Sequence, residues 1–204
     1  DLNLAQEKCA AVIQAWYPGA RGGQAIAEMI FGEYSPAGRL PITFYKTLEE
    51  LPEFTDYSMK GRTYRYMEHD ALYPFGYGLS YTSFAYESLG EPEWQEDSLH
   101  FHVRVTNTGD MDADEVVQLY TIHKSPVMES PNCSLRGFKR VRIAAGQSAE
   151  VEFVLSKEDL MVVNNDGEKV LEPGEYTITI GGSQPDHRSE ELTGQKPLRY
   201  TITL

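Results

Sequence analysis

Cysteine is scarce in this chain, with two in 204 residues. Cys9 and Cys133 lie in different predicted domains and lack the spacing of a metal or redox motif, so both are expected to be unpaired. Positive charge is also in short supply. Against 31 Asp and Glu stand only 18 Lys and Arg, a net charge of −13, which repels phosphate backbones. With no basic stripe or RNA-stacking motif to offset that field, nucleic acid is a poor partner, whereas neutral ligands such as sugars are unaffected. No apolar run approaches the roughly 18 residues that cross a bilayer, so membrane insertion is not expected. Asp1-Leu2-Asn3-Leu4 has neither a basic leader nor an apolar signal core. The chain is then either cytosolic or served by a targeting segment outside this sequence. Low cysteine use is compatible with a bacterial periplasm, and a periplasmic or secreted setting is the expectation.

What is present is the composition of a folded protein. Hydrophobic residues make up 41% and charged residues 24%, enough to bury a sizeable core and too apolar for disorder. The length suggests one complete domain plus part of another, or two small ones. Residues 8–17 form an apolar run stopped by Pro18-Gly19. It reads as a buried strand, though its periodicity is also compatible with helix. Gly22-Gly23 then leads to Ile26, Met29 and Ile30 on one helical face, with Gly32 placed to end the helix. Strand, glycine loop and helix make a βα unit. One such unit cannot bury both faces of its sheet, so residues 1–45 are predicted to be the C-terminal strand–helix remnant of an α/β sandwich domain.

Residues 46–83 are predicted to be an extended interdomain segment. The regular pattern breaks down from Pro36 to Tyr81, where prolines at 36, 41, 52 and 74 and glycines at 38, 61, 76 and 78 argue for a loop-rich path. The aromatic load, including Phe44, Tyr45, Phe54, Tyr57, Tyr64, Tyr66, Tyr73, Phe75, Tyr77 and Tyr81, argues for burial rather than a flexible linker. From residue 84 the period changes to two. Leu99, Phe101, Val103 and Val105 alternate with polar neighbours, as do Ala149, Val151, Phe153 and Leu155, then Tyr176, Ile178 and Ile180, and finally Tyr200, Ile202 and Leu204. Further strands are predicted near 116–123 and 137–143, and around Val162 and Val170 across Asn165-Asp166-Gly167, a hairpin signal. The fold class is therefore mainly β: residues 84–204 as an antiparallel sandwich of the immunoglobulin or fibronectin III type, preceded by the βα portion.

Several motifs in order resemble glycoside hydrolase family 3. Ala15-Trp16-Tyr17-Pro18-Gly19, Gly22-Gly23-Gln24-Ala25-Ile26-Ala27 and Phe31-Gly32-Glu33-Tyr34-Ser35-Pro36-Ala37-Gly38-Arg39-Leu40-Pro41 resemble the last strand, helix and exit loop of its α/β sandwich domain. Tyr73-Pro74-Phe75-Gly76-Tyr77-Gly78-Leu79-Ser80-Tyr81-Thr82 resembles the bridge to its third domain. Val105-Thr106-Asn107-Thr108-Gly109, Glu115-Val116-Val117-Gln118-Leu119-Tyr120, Leu135-Arg136-Gly137-Phe138 and Pro173-Gly174-Glu175-Tyr176 resemble the fibronectin III-like domain itself. Gly61-Arg62-Thr63-Tyr64-Arg65-Tyr66 looks most like the β-xylosidase branch and its bacterial β-glucosidase relatives. The resemblance implies retaining exo-hydrolysis of β-xylosides or β-glucosides from plant polysaccharide, which needs two carboxyl groups about 5 Å apart. It also implies that the nucleophile Asp and the acid/base Glu precede Asp1, so no catalytic residue is expected in this chain. No cofactor or metal is expected. The expected partners are the barrel and upstream sandwich strands, from a longer parent chain or a second polypeptide, with oligosaccharide bound by the complete enzyme.

Local candidates for chemistry have simpler readings. Glu28, Glu33, Glu49, Glu50 and Glu53 read as surface charges, as do Asp110, Asp112, Asp114 and Glu115, whose turn lacks the spacing of a calcium loop. His100 and His102 share a strand face without a third zinc ligand and are expected on the outer face. Ser80 is outside any Gly-x-Ser-x-Gly elbow. Arg62 and Arg65 read as structural partners of the tyrosines. Trp16 and Tyr17 are the best placed to touch a sugar, though an interface role is the simpler one. The rival reading of the whole chain is a stand-alone carbohydrate-binding or adhesive β-sandwich, which predicts a ladder of exposed aromatics on one sandwich face.

Overall fold

The structure is a computed structural model that describes residues 2–125 and 128–204. Ten strands follow a largely irregular first third: β1 (Phe84–Ser88), β2 (Glu93–Gln95), β3 (Ser98–Asn107), β4 (Ala113–His123), β5 (Ser134–Ile143), β6 (Ser148–Ser156), β7 (Val162–Val163), β8 (Lys169–Val170), β9 (Glu175–Gly181) and β10 (Leu198–Thr203). In the first sheet β3 pairs along its length with β6, and in succession with β1 and β2. The second sheet runs β10-β9-β4-β5, every pairing antiparallel. The two sheets close on one core.

The period-two patterns fix which residues enter that core, because successive strand side chains point to opposite faces. Leu99, Phe101, Val103 and Val105 of β3 face inward, and Phe101 and Val103 sit opposite Phe153 and Val151 of β6. From the second sheet, Val117 and Leu119 of β4 meet Ile178 and Ile180 of β9. Tyr200 of β10 packs edge-on against Phe101 at 5.3 Å between ring centres. The hairpin signal holds: Val162 pairs with Val170, Asn164 Oδ1 accepts from the amides of Asp166 and Glu168, and Gly167 takes φ 82° at the turn.

The described residues also form four α-helices: α1 (Asn3–Lys8), α2 (Gly22–Ile30), α3 (Thr63–Tyr66) and α4 (His187–Thr193). The predicted helix after Gly22-Gly23 is α2. It ends as expected, with Gly32 at φ 75° and Glu33 N donating to Glu28 O at 2.8 Å, the cap that satisfies a last-turn carbonyl. The strand predicted over 8–17 does not form. Lys8 closes α1, and 9–17 pair with no strand among the described residues. A strand needs a neighbour for its backbone donors and acceptors, and none is in reach. Residues 84–88, 93–95 and 187–193, unassigned from sequence, form β1, β2 and α4.

Cys133 is 4% exposed, and burial pushes its thiol up to about 12, whereas Cys9 is exposed and neither forms a disulfide. Because the thiolate is the nucleophile, Cys133 is expected to resist iodoacetamide at pH 8 in the folded protein and to react once denaturant is added. Peptide mapping of the alkylated protein checks this. Modification of Cys133 without denaturant overturns it.

Candidate functional site

The part of the chain with the densest chemistry is the junction where the aromatic segment lies on the sandwich. Two stretches of that segment run alongside each other: Phe44 and Tyr73 form a β-bridge, Leu40 N donates to Tyr77 O at 2.9 Å, and Gly76 N donates to Leu40 O at 2.7 Å. Tyr73 and Tyr77 stack at 5.8 Å, and Tyr64 stacks on Phe75 at 4.3 Å while meeting Tyr120 of β4 edge-on at 6.3 Å. The sandwich grips the bridge backbone through Gln118, whose Nε2 donates to the carbonyls of Gly76 at 3.0 Å and Gly182 at 2.8 Å. Tyr120 Oη donates to Gln118 Oε1 at 2.6 Å, so the amide is fixed at both ends.

Beside this grip lies a buried charge. Glu115 is not the surface carboxylate expected of the turn cluster: it is 2% exposed. Its place in β4, two residues after Ala113 and two before Val117, puts it on the inward face. The charge is matched there. Arg39 Nη2 donates to Oε2 at 2.7 Å, Tyr86 Oη donates to Oε1 at 2.8 Å, and Arg39 Nε reaches Gly182 O at 3.2 Å. Burial, with the Glu115 charge beside it, holds the Tyr86 phenol well above its ordinary value. Both oxygens of Glu115 are engaged, one with a cation and one with a phenol, which makes it a clamp between exit loop and sandwich.

The other sequence candidates scatter. Asp112 and Asp114 face Arg142 at 3.7 Å each, and Asp114 also accepts from Arg140 Nε at 2.6 Å. Glu50 lies 3.3 Å from His69, and Glu28, Glu33, Glu49, Glu53 and Asp110 converge on no shared site. Among the described residues no three His, Cys, Asp or Glu are grouped to hold a metal ion. His100 and His102 lie on the outward side of β3 at 3.0 and 4.0 Å from Glu152, whose carboxyl is lowered first by the His100 hydrogen bond. Ser80 Oγ donates to Pro36 O at 3.0 Å, a structural tie. Arg62 binds the carbonyls of Ser58 and Asp56, and the Arg65 guanidinium lies 5.9 Å from the centre of the Tyr66 ring. Trp16 takes φ 50° and is 49% exposed, with Tyr17 fully exposed. Neither is buried against the sandwich.

Sequence reasoning missed Asp186. It caps α4 by accepting from Ser189 N at 2.8 Å and accepts from Gln184 Nε2 at 2.7 Å, yet burial raises its carboxyl above the ordinary value. A raised carboxyl favours folding while protonated, and that contribution fades as pH rises from 3.8 through the folded-state value. Asp186→Asn keeps a capping oxygen. Its melting temperature relative to wild type is expected to improve steadily as pH rises from 3 and to level off once the wild-type carboxyl is ionised. A difference that does not change with pH, measured by differential scanning calorimetry, contradicts this.

Residues 1–81 match the model for the glycosyl hydrolase family 3 C-terminal domain, and residues 115–184 match a fibronectin type III-like domain. A xylan 1,4-beta-xylosidase from Xylanibacter ruminicola is 46% identical over 197 residues, which is 94% of this chain and 22% of the relative. The chain belongs to glycoside hydrolase family 3. A periplasmic beta-glucosidase from Salmonella typhimurium is 34% identical, over 84% of this chain and 24% of its own length. Among solved structures, a beta-glucosidase from Listeria innocua superposes with a TM-score of 0.81 at 26% identity, covering 99% of this chain and 29% of that one. The chain thus spans about a quarter of the length of the curated relatives it matches, and it corresponds to their C-terminal portion. The end of the α/β sandwich domain followed by the fibronectin III-like domain, read from the motifs, is the architecture of that portion.

Proposed function

We propose that this chain is the structural C-terminal part of a retaining exo-β-glycosidase that removes terminal non-reducing β-D-xylosyl or β-D-glucosyl residues from plant-derived oligosaccharides. The nucleophile Asp and the acid/base Glu then belong to the rest of the parent enzyme, and this chain supports the barrel that carries them. The observation that carries the reading is the number of large apolar side chains left uncovered in the N-terminal part. Val12, Ile13, Trp16 and Tyr17 before α2, and Ile30 and Phe31 at its end, are 43% to 100% exposed, and large apolar side chains exposed in such number call for a covering partner. Trp16 also holds a left-handed backbone conformation, a strain that persists where surrounding structure imposes it. The parent's upstream sandwich strands and barrel are the natural cover, since a lone helix beside the unpaired residues 9–17 cannot make a sheet.

The 46% identity to a xylan 1,4-beta-xylosidase favours the xyloside, and the name of the Salmonella relative supports a periplasmic setting. The alternative of a stand-alone sugar-binding sandwich needs an aromatic ladder on one face. Trp94 and Phe138, its two exposed large aromatics, lie on β2 and β5 in different sheets. The intact parent protein is expected to hydrolyse p-nitrophenyl β-D-xyloside faster than the glucoside, and this chain alone to turn over neither. Turnover by the isolated chain, or saturable binding of xylo- or gluco-oligosaccharides to it without the barrel, defeats the proposal.

A further inference from the structure

A second run of large apolar side chains lies uncovered in the aromatic segment. Leu48, Leu51, Phe54 and Tyr57 recur at every third residue and are 46% to 93% exposed, and Met59 beyond them is half exposed. Every residue from 53 to 60 is exposed. The backbone that carries them is shaped by its own hydrogen bonds: Leu51 N donates to Leu48 O at 3.2 Å, Asp56 N to Glu53 O at 2.9 Å and Arg62 N to Met59 O at 3.0 Å, so one turn follows another. The loop is also tied at its base. Lys46 N donates to Glu50 Oε2 at 2.8 Å, Arg62 Nε donates to Ser58 O at 2.8 Å, and Thr63 N donates to Tyr45 Oη at 2.9 Å, which joins the two ends. A loop closed at its base, shaped from within and apolar on its outside is a preformed contact surface, because docking has little left to order.

Position and charge name what covers it. Asn3 Nδ2 donates to Lys46 O at 2.6 Å, which sets α1 at the base of the loop, so the polypeptide leading into residue 1 in the parent arrives beside it. That polypeptide is long, since this chain spans 22% of the length of the xylan 1,4-beta-xylosidase relative. A second copy of the chain fits less well. At a net charge of −13 two copies repel, and Glu49, Glu53 and Asp56 stand between the apolar residues of the loop itself. Those carboxylates favour cations around whatever receives the loop. We propose that the 45–63 loop docks on the part of the parent that precedes this chain, seating Phe54 and Tyr57 in an apolar groove rimmed by lysine or arginine. The inference rests on the reading of this chain as a support for the rest of the parent, and it names a surface of support separate from the residues around α2.

The intact parent protein carrying the photo-crosslinker substitution Phe54→p-benzoylphenylalanine tests it, and nitration of Tyr57 by tetranitromethane in the unsubstituted parent adds a measurement that needs no variant. Irradiation is expected to join residue 54 to a peptide that precedes this chain, in a product of monomer mass. The crosslink yield is expected to fall at least threefold when Glu49→Lys and Glu53→Lys are added, both at exposed positions. Nitration of Tyr57 is expected to be at least tenfold slower in the native parent than in urea. A crosslinked product of twice the mass, a crosslink within this chain, a yield undiminished by the two lysines, or nitration as fast as in urea overturns the proposal. Neither readout involves turnover. A parent that gives the crosslink but hydrolyses neither glycoside sinks the glycosidase reading alone, and an active parent without the crosslink sinks the docking alone.

Discussion

Arg39→Met is expected to destabilise the protein by about 3–5 kcal/mol, the cost of leaving a buried partner charge uncompensated. Arg39 and Glu115 have side chains 10% and 2% exposed and meet at 2.7 Å, so solvent cannot take over the role of the lost guanidinium. The Tyr86 hydroxyl remains as a donor to Glu115, but a phenol cannot neutralise a carboxylate. Replacing both partners is expected to cost much less: Arg39→Met combined with Glu115→Leu should recover most of the loss, since a buried ion pair and a packed apolar pair are often close in free energy. Urea unfolding of wild type, both single variants and the double variant measures the coupling. A double variant as unstable as the sum of the singles would mean that the pair is not what holds the exit loop to β4.

Gly76→Ala is expected to cost about 2–5 kcal/mol, combining a left-handed backbone penalty of roughly 1–2 kcal/mol with an overpacking penalty of roughly 1–3 kcal/mol. Gly76 has φ 76°, and a Cβ there would fall 2.2 Å from Gln118 Oε1 and 2.7 Å from Tyr120 Oη. Neither atom is free to retreat. Gln118 Nε2 holds two backbone carbonyls and Tyr120 Oη bonds Gln118 Oε1, so relief means pulling the bridge off the sandwich. The same substitution at Gly61, which also has a positive φ of 68° but open space at its Cβ position, should carry only the backbone penalty. A thermal-unfolding comparison in which the two variants lose equal stability would show that the close approach at Gly76 is not constraining.

Much of the sandwich was legible because a strand reports itself locally. β3, β6 and β9 alternate residue by residue, and Asn165-Asp166-Gly167 carries its own turn chemistry. β1 and β2 escaped because Phe84–Ser88 and Glu93–Gln95 are short and mostly exposed, so alternation has little to mark. The strand expected over 8–17 failed for the opposite reason. Its apolar run has the composition of a buried strand, but pairing depends on a neighbour that composition does not report. Glu115 was readable in principle: extending the β4 alternation back from Val117 to Ala113 puts it inward, and only the habit of assigning acidic turn residues to solvent hid it.

The chain's own sequence therefore determined the mainly β architecture and the family motifs, both of which rest on spacing within a few residues. The tertiary structure alone decided which cation meets the buried charge and where space is left. Arg39 and Glu115 are 76 residues apart, and Thr43 and Gln184 line one cavity from distant parts of the chain. A buried carboxylate is tolerable only beside its cation, and a cavity exists only once all of its walls are in place. Those are properties of distances in space, which no local pattern of residue types encodes.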